Sequence, residues 1–146
     1  MNNYLTLYIE EHTKENELFK HGILFNNSLI IKMLIDGEEV EKFENFEDAF
    51  IVLDELKMSA KGSGKYLIFT CACGIAEDGG WEGVDVSIDQ GKIAWKFEVA
   101  DKQYRYIFDK SEYLTEIDSI LGLINSSELK IEPKSVIFPE NFRRIE

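Results

Sequence analysis

Cys71-Ala72-Cys73-Gly74 is the stretch whose residue types could most directly do chemistry, since two thiols one residue apart could hold a metal, exchange a disulfide or supply a nucleophile. In an extended strand alternate side chains share a face, so the thiols would point the same way, about 6.6 Å apart at about 3.3 Å per residue. That geometry is poor for a bond between them. A structural zinc site wants four ligands, commonly from two clusters. The only histidines, His12 and His21, are distant in sequence, and there is no second cysteine pair. Cys71 and Cys73 are therefore read as buried and inert, and no metal or other cofactor is expected. No local signature supports a Cys-His nucleophile. Gly62-Ser63-Gly64 lacks the spacing of a phosphate-binding loop, and Gly79-Gly80 stands alone. The 28 acids offer carboxylate pairs at glycosidase-like separations through abundance alone. The expectation is a protein that binds, and not an enzyme.

Charge says more about the partner than any motif does. The net charge is −12, from 28 acids and 16 bases. Such a balance disfavours nucleic acid and anionic membranes, because both carry phosphate. A basic protein is allowed, and an opposite field would speed its encounter. The excess is concentrated in two places. Asp36 to Glu55 holds nine acids (Asp36, Glu38, Glu39, Glu41, Glu44, Glu47, Asp48, Asp54 and Glu55) against the single base Lys42. Glu77 to Asp89 holds five, Glu77, Asp78, Glu82, Asp85 and Asp89, with no base. The rest of the chain is almost neutral. Two readings compete: a binding surface built from these stretches, or solvated acidity that serves solubility.

The elements that must position these residues read as one domain over 1–146, of the α+β class: an antiparallel β-sheet with about two helices packed on one face. A hydrophobic fraction of 45% with 30% charged residues places the chain among globular sequences. Tyr4, Thr6 and Tyr8 alternate with Leu5, Leu7 and Ile9, which predicts a first strand with two usable faces. Leu29 to Ile35, Asp36-Gly37 and Glu38 to Phe43 predict a hairpin, since Asp-Gly suits a type I′ turn. Asn45 is placed as the N-cap of a helix from Phe46, with Phe46, Ala49, Phe50, Leu53 and Leu56 at helical spacing and Gly62 closing it. Tyr66 to Cys73 reads as a buried strand. Period-two runs at Val84 to Ile88, Ile93 to Val99 and Tyr104 to Phe108 predict three more, the first pair turned by Gln90-Gly91. Ser111 is placed as the cap of a last helix with a stripe of Leu114, Ile117, Leu121 and Ile124 flanked by Tyr113 and Ile120. Glu128 to Glu146 reads as a strand or an extended cover. The apolar runs fall short of the roughly 20 residues a bilayer needs. Met1-Asn2-Asn3-Tyr4 has no basic n-region and Glu10-Glu11 interrupts any apolar region, so no signal peptide is expected and the cytoplasm is the expected compartment.

Phe69-Thr70-Cys71-Ala72-Cys73-Gly74, then Gly80-Trp81-Glu82-Gly83-Val84 and Ile93-Ala94-Trp95, resemble a group of small bacterial proteins with a Phe-Thr-Cys-x-Cys-Gly strand motif followed by a hairpin ending in Trp. The resemblance spans roughly residues 66 to 108. Where that group carries a third cysteine this chain has Asp78, so a three-thiol site is not carried over. Such proteins are similar to immunity proteins of bacterial toxin–immunity systems, including contact-dependent inhibition. The resemblance implies a cognate toxin domain, basic and nuclease-like, as partner. Acidic side chains that mimic the phosphates of its substrate are a sound way to occupy it. The candidate partner-binding residues are Glu77, Asp78, Trp81, Glu82 and Asp85, with Glu38, Glu39, Glu41, Glu44, Glu47 and Asp48. Trp81 has two readings, an aromatic anchor inside an acidic rim or a core tryptophan under the hairpin. The alternative function is a non-catalytic scaffold or regulatory subunit of a larger assembly.

Overall fold

A computed structural model describes residues 2–20, 22–43, 46, 49–71, 81–133 and 136–145. In chain order the strands are β1 (Leu5–His12), β2 (Leu18–Lys20), β3 (Ile23–Phe25), β4 (Ser28–Ile35) and β5 (Glu38–Glu39), the last running into a 3-10 turn at Val40–Lys42. Next come β6 (Phe50–Ile51), helix α1 (Leu53–Ser59), β7 (Gly64–Tyr66) and β8 (Phe69–Thr70). β9 (Val84–Asp89), β10 (Lys92–Val99), β11 (Lys102–Asp109), helix α2 (Lys110–Asn125) and β12 (Lys130–Glu132) complete the described elements. The class is α+β, as expected, with the strands divided between two principal sheets.

In the first sheet β4 pairs β1 along one edge, and β12 and β5 along the other. The second runs β11-β10-β9-β7, all antiparallel, whereas β12 runs parallel to β4 and Asn3 forms a parallel bridge with Phe108. Asn3 ties the sheets together: its N–H donates to the Ile107 carbonyl at 2.6 Å, and its Oδ1 accepts from the Ile107 N–H at 2.8 Å. Asp36-Gly37 and Gln90-Gly91 turn their hairpins with φ of 56° and 81°, and 48° and 76°, as a type I′ turn requires. A third such turn, Ala100-Asp101, has no glycine and carries no turn signature in the sequence.

Both sheets empty their inner faces into one core. Leu5, Leu7, Ile31, Met33 and Ile35 come from the first, and Val86, Ile93, Trp95, Phe97 and Phe108 from the second. Helix α2 closes it with Tyr113, Ile117 and Ile120. Its cap is Asp109, whose carboxylate accepts from the Glu112 N–H at 3.0 Å, and not Ser111, because β11 runs directly into the helix. The expected stripe is rotated accordingly, and Leu114 is left 37% exposed. The Tyr113 hydroxyl meets Ser59 Oγ at 2.6 Å, joining the two helices, and burial still pushes that phenol well above its usual range. The Glu116 carboxylate of α2 accepts from the Leu7 N–H at 2.9 Å, covering the outer edge of β1.

Two expectations fail for one reason. A helix starting at Phe46 would put Phe46 and Phe50 on the same face, one turn apart. They belong to different clusters. Phe46 is fully buried in the main core, whereas Phe50 joins Phe25 and Ile30 in a smaller cluster on the far side of β4, its ring 5.7 Å from that of Phe25. The chain therefore crosses as β6, pairing with β8, and α1 begins at Leu53 with Val52 as its cap; Asn45, the expected cap, lies outside the described residues. The same pairing splits the strand expected over Tyr66 to Cys73 into β7 and β8, which join different partners. Cys71 is buried, and Cys73 lies outside the described residues. Among the described residues, no helix is long and apolar enough to cross a membrane.

Candidate functional site

Because β1 and β4 pair with Tyr8 opposite Lys32, side chains at alternate positions face away from the main core. Toward the His12 end that outward face is covered by the small cluster around Ile30. Toward the hairpin, β5 and its 3-10 turn bring Glu39 and Glu41 alongside, and Ala49 and Ile51 border the same place. The Tyr8 hydroxyl donates to Glu39 Oε1 at 2.5 Å. Lys42 Nζ lies 3.6 Å from Glu39 Oε2, and Lys32 Nζ lies 2.8 Å from Glu41 Oε2. Glu10, next on the same face of β1, holds His12 Nε2 at 2.6 Å.

The electrostatics follow from these contacts. The bond to Glu39, then burial, then the charges of Glu39, Glu10 and Glu41 push the Tyr8 phenol from 10 up to about 12. In return the Tyr8 hydroxyl holds the Glu39 carboxyl below its ordinary value, against partial desolvation. Tyr8 is thus an aromatic ring among three carboxylates and two lysines, Lys32 on Glu41 and Lys42 on Glu39. Beneath it Lys32, Glu39 and Glu41 border a recess of only about 10 Å3, room for a single water. The recess has no room for anything larger.

Burial also pushes Tyr106, midway along the outermost strand β11, up to about 12, helped by Tyr104 and by the charges of Asp36 and Glu38. The sign of the pH effect follows. Both phenols keep their protons in the folded protein while those of the unfolded chain ionise, so their contribution is complete below pH 10 and is lost as pH rises toward about 12. Replacing Tyr8 with Phe should make that alkaline loss shallower and remove one late-titrating phenolate from the near-ultraviolet absorbance. An unchanged titration would remove the Tyr8–Glu39 contact from the account.

The other predicted residues separate. Trp81 is a core tryptophan, not an exposed anchor: it is 4% exposed, with its ring 5.2 Å from that of Phe46 and 5.7 Å from that of Phe69. Residues 81–83 lie outside any helix or strand, yet the Trp81 ring is enclosed by Phe46 and Phe69. Asp85 is exposed, yet it stands opposite Lys65 of β7 and Lys96 of β10, and Lys96 in turn stands opposite Arg105. One carboxylate in a row with three bases makes a mixed-sign face, held by cross-strand attraction. Asp89 likewise stands opposite Lys92, whose Nζ lies 4.0 Å from the Asp109 carboxylate. Glu82 is exposed and Glu38 is exposed at the first hairpin. Glu44, Glu47, Asp48, Glu77 and Asp78 lie outside the described residues.

The two acidic stretches therefore do not merge among the described residues. The hairpin tip sits beside β11, where Asp36 accepts from Asn3 Nδ2 and from the Tyr4 N–H, both at 2.8 Å. Strands β10 and β11, with outward Lys96 and Arg105, stand between it and Asp85. Tyr8, Glu10 and Lys32 escaped sequence reading. The alternation of β1 showed that Tyr8 had a free face, but only the register with β4 and β5 put carboxylates around it.

His12 offers no second site. It is 4% exposed, and its Nδ1 lies 3.0 Å from the Asn16 carbonyl, which can only accept, so Nδ1 carries a proton and donates. With Nε2 on Glu10, both ring nitrogens are engaged. No family model matches the chain, and neither a curated protein nor a solved structure matches it.

Proposed function

We propose that this chain is a cytoplasmic immunity protein that binds and neutralises a cognate basic, nuclease-like toxin domain, and that it does so through the face around Tyr8. The observation that carries the reading is the placement of one half-buried tyrosine ring among Glu10, Glu39 and Glu41. A domain that grips nucleic acid presents lysines and arginines spaced for phosphates. Carboxylates already held by Tyr8, Lys32 and His12 meet those cations with less entropy loss than free side chains would. A tyrosine at their centre supplies the apolar contact that a purely charged rim lacks, and tyrosine is among the residues enriched where binding energy concentrates. The Glu39 bond fixes the ring before the partner arrives, and the net charge of −12 draws a basic partner in. Cys71 and Cys73 have no part in this reading.

The test is the association rate with the basic toxin domain encoded beside this chain, measured across a range of salt. The double charge reversal Glu39→Lys with Glu41→Lys should slow association about ten-fold or more at low salt and flatten its salt dependence. Asp85→Lys, in its row of bases, should change little. Equal rates for the wild type and the double reversal, or a larger effect at Asp85, would sink the proposed face.

A subunit of a larger assembly is the second reading. One observation favours it: Phe19 and Leu24 face each other across the β2–β3 ribbon while 71% and 50% exposed. Recruitment lost on Phe19→Asp and kept in the Glu39/Glu41 reversal would decide for it.

A further inference from the structure

The ring of His12 sits between two oxygens that both accept. Nδ1 lies 3.0 Å from the Asn16 carbonyl, and Nε2 lies 2.6 Å from Glu10 Oε1. The carbonyl takes the Nδ1 proton, so a neutral imidazole has only a lone pair to offer at Nε2. A lone pair and a carboxylate oxygen do not bond at 2.6 Å. One proton must lie between them, on Nε2 or on Glu10. Water has little access to the ring, because the His12 side chain is 6% exposed against 38% for Glu10.

The loop after β1 is built to keep this arrangement. The Asn16 N–H donates to the Thr13 carbonyl at 3.0 Å and Asn16 Nδ2 donates to the Glu11 carbonyl at 2.6 Å, which aims the Asn16 carbonyl at Nδ1. On β4, Ser28 stands opposite His12 and Ile30 opposite Glu10. The other charged groups on the elements that meet here are Lys14, Glu15 and Glu17 of the loop, Lys20 of β2, and Lys130 and Glu132 of β12, the last two beside Ser28 and Ile30. Glu17 accepts from Asn26 Nδ2 at 3.2 Å, and Lys20 Nζ lies 5.8 Å from the centre of the Phe50 ring. His21 lies outside the described residues. Glu10 is the titratable side chain bonded to the ring.

Glu10 is also next to Tyr8 on one face of β1, and its charge acts on the Tyr8 phenol. Each carboxylate around Tyr8 has a cationic counter-group: Lys42 for Glu39, Lys32 for Glu41 and His12 for Glu10. An ammonium ordinarily keeps its charge far above neutrality, whereas imidazole changes charge between about pH 5 and 8. The third counter-group is the one that pH can remove.

We infer that the proton shared by His12 and Glu10 is a latch on the acidic face: with it Glu10 is held and the pair is neutral, and without it Glu10 turns to water and adds a full negative charge beside Tyr8. The proton goes to solvent, and Nδ1 keeps its own on the Asn16 carbonyl. The contact is present below the pH at which the shared proton leaves and is lost above it. A basic partner therefore meets a more acidic face as pH rises. That consequence rests on the Tyr8 reading; the latch does not.

The latch is tested by NMR on the full chain without a partner, from about pH 5 upward. The ring nitrogens of His12, told apart from those of His21 by a His21→Asn variant, and the Glu10 carboxyl carbon follow the proton. The Overhauser contact between His12 Hε1 and the Glu10 γ-methylene should vanish in the step in which the pair loses it. In Glu10→Gln an amide N–H can donate to the neutral ring, so the contact should survive throughout. A wild-type contact that outlasts the proton, or is absent while the proton is present, overturns the inference. So does loss of the contact at the same step in Glu10→Gln. By linkage, a cation seated on the face favours loss of the proton. Saturating N-acetyl-hexa-arginine-amide, which does not itself titrate in this range, should lower the proton affinity of the pair by about two-fold at low salt. An unmoved step would tell against the Tyr8 reading and not against the latch.

Discussion

Trp81→Ala should lower the free energy of unfolding by about 3–5 kcal/mol, the range for truncating a large buried aromatic. The side chain is 4% exposed and edge-on to Phe46, and Phe46 in turn contacts Phe69, Phe97 and Tyr104 at centroid distances of 5.2–6.0 Å. The void would open at the centre of that aromatic group, among rings too rigid to collapse into it. A domain of this size holds a margin of about 5–15 kcal/mol, so the variant should sit near the threshold of folding. A lower denaturant midpoint with an unchanged slope would register the loss. The Trp81 Nε1 has no hydrogen-bond partner among the described residues. Trp81→Phe, which keeps an aromatic ring in the site, should cost less than the alanine change. If Trp81→Ala left the midpoint unmoved and weakened only partner binding, the tryptophan would be an anchor after all.

Arg144→Ala should cost about 3 kcal/mol, the lower end of what removing one partner from a buried ion pair costs, because the Arg144 side chain is itself 32% exposed. The loss falls on what remains. Glu55 would keep its bond from the Leu67 N–H but lose both guanidinium contacts while still enclosed. Glu55→Ala leaves the Leu67 N–H without its acceptor and Arg144 over the Tyr66 ring without its counter-charge. Removing both partners should cost clearly less than the two single losses added together, since neither charge is then stranded. A double-mutant cycle by denaturant unfolding reads that coupling. Additive losses would mean that the two side chains contribute through packing alone.

These residues also mark what was legible in the sequence. Turns and periods were. Asp36-Gly37 and Gln90-Gly91 announced their hairpins because left-handed backbone favours those residue types, a property of a few adjacent residues. The alternation in β9, β10 and β11 and the helical spacing of α2 needed no knowledge of the partner either, so the α+β class followed from local pattern. The acidity of the first hairpin was legible by count, and Glu39 and Glu41 remain in the candidate face.

Tertiary structure decided everything that depends on what a face meets. Phe46 and Phe50 have helical spacing, but two separate cores claim them, and that choice lies in residues far along the chain. Trp81 and Asp85 follow one another in an acidic run, yet one is drawn into an aromatic core and the other set between lysines. Tyr8 gained its acidic surround from strand register, and Arg144 found Glu55 across 89 residues of chain. Local sequence dictates which conformations and faces a segment can present, because those preferences act within a few bonds. The neighbours of a face are chosen by burial summed over the whole chain, and the cysteines that first suggested chemistry yielded to a tyrosine and an arginine that did not.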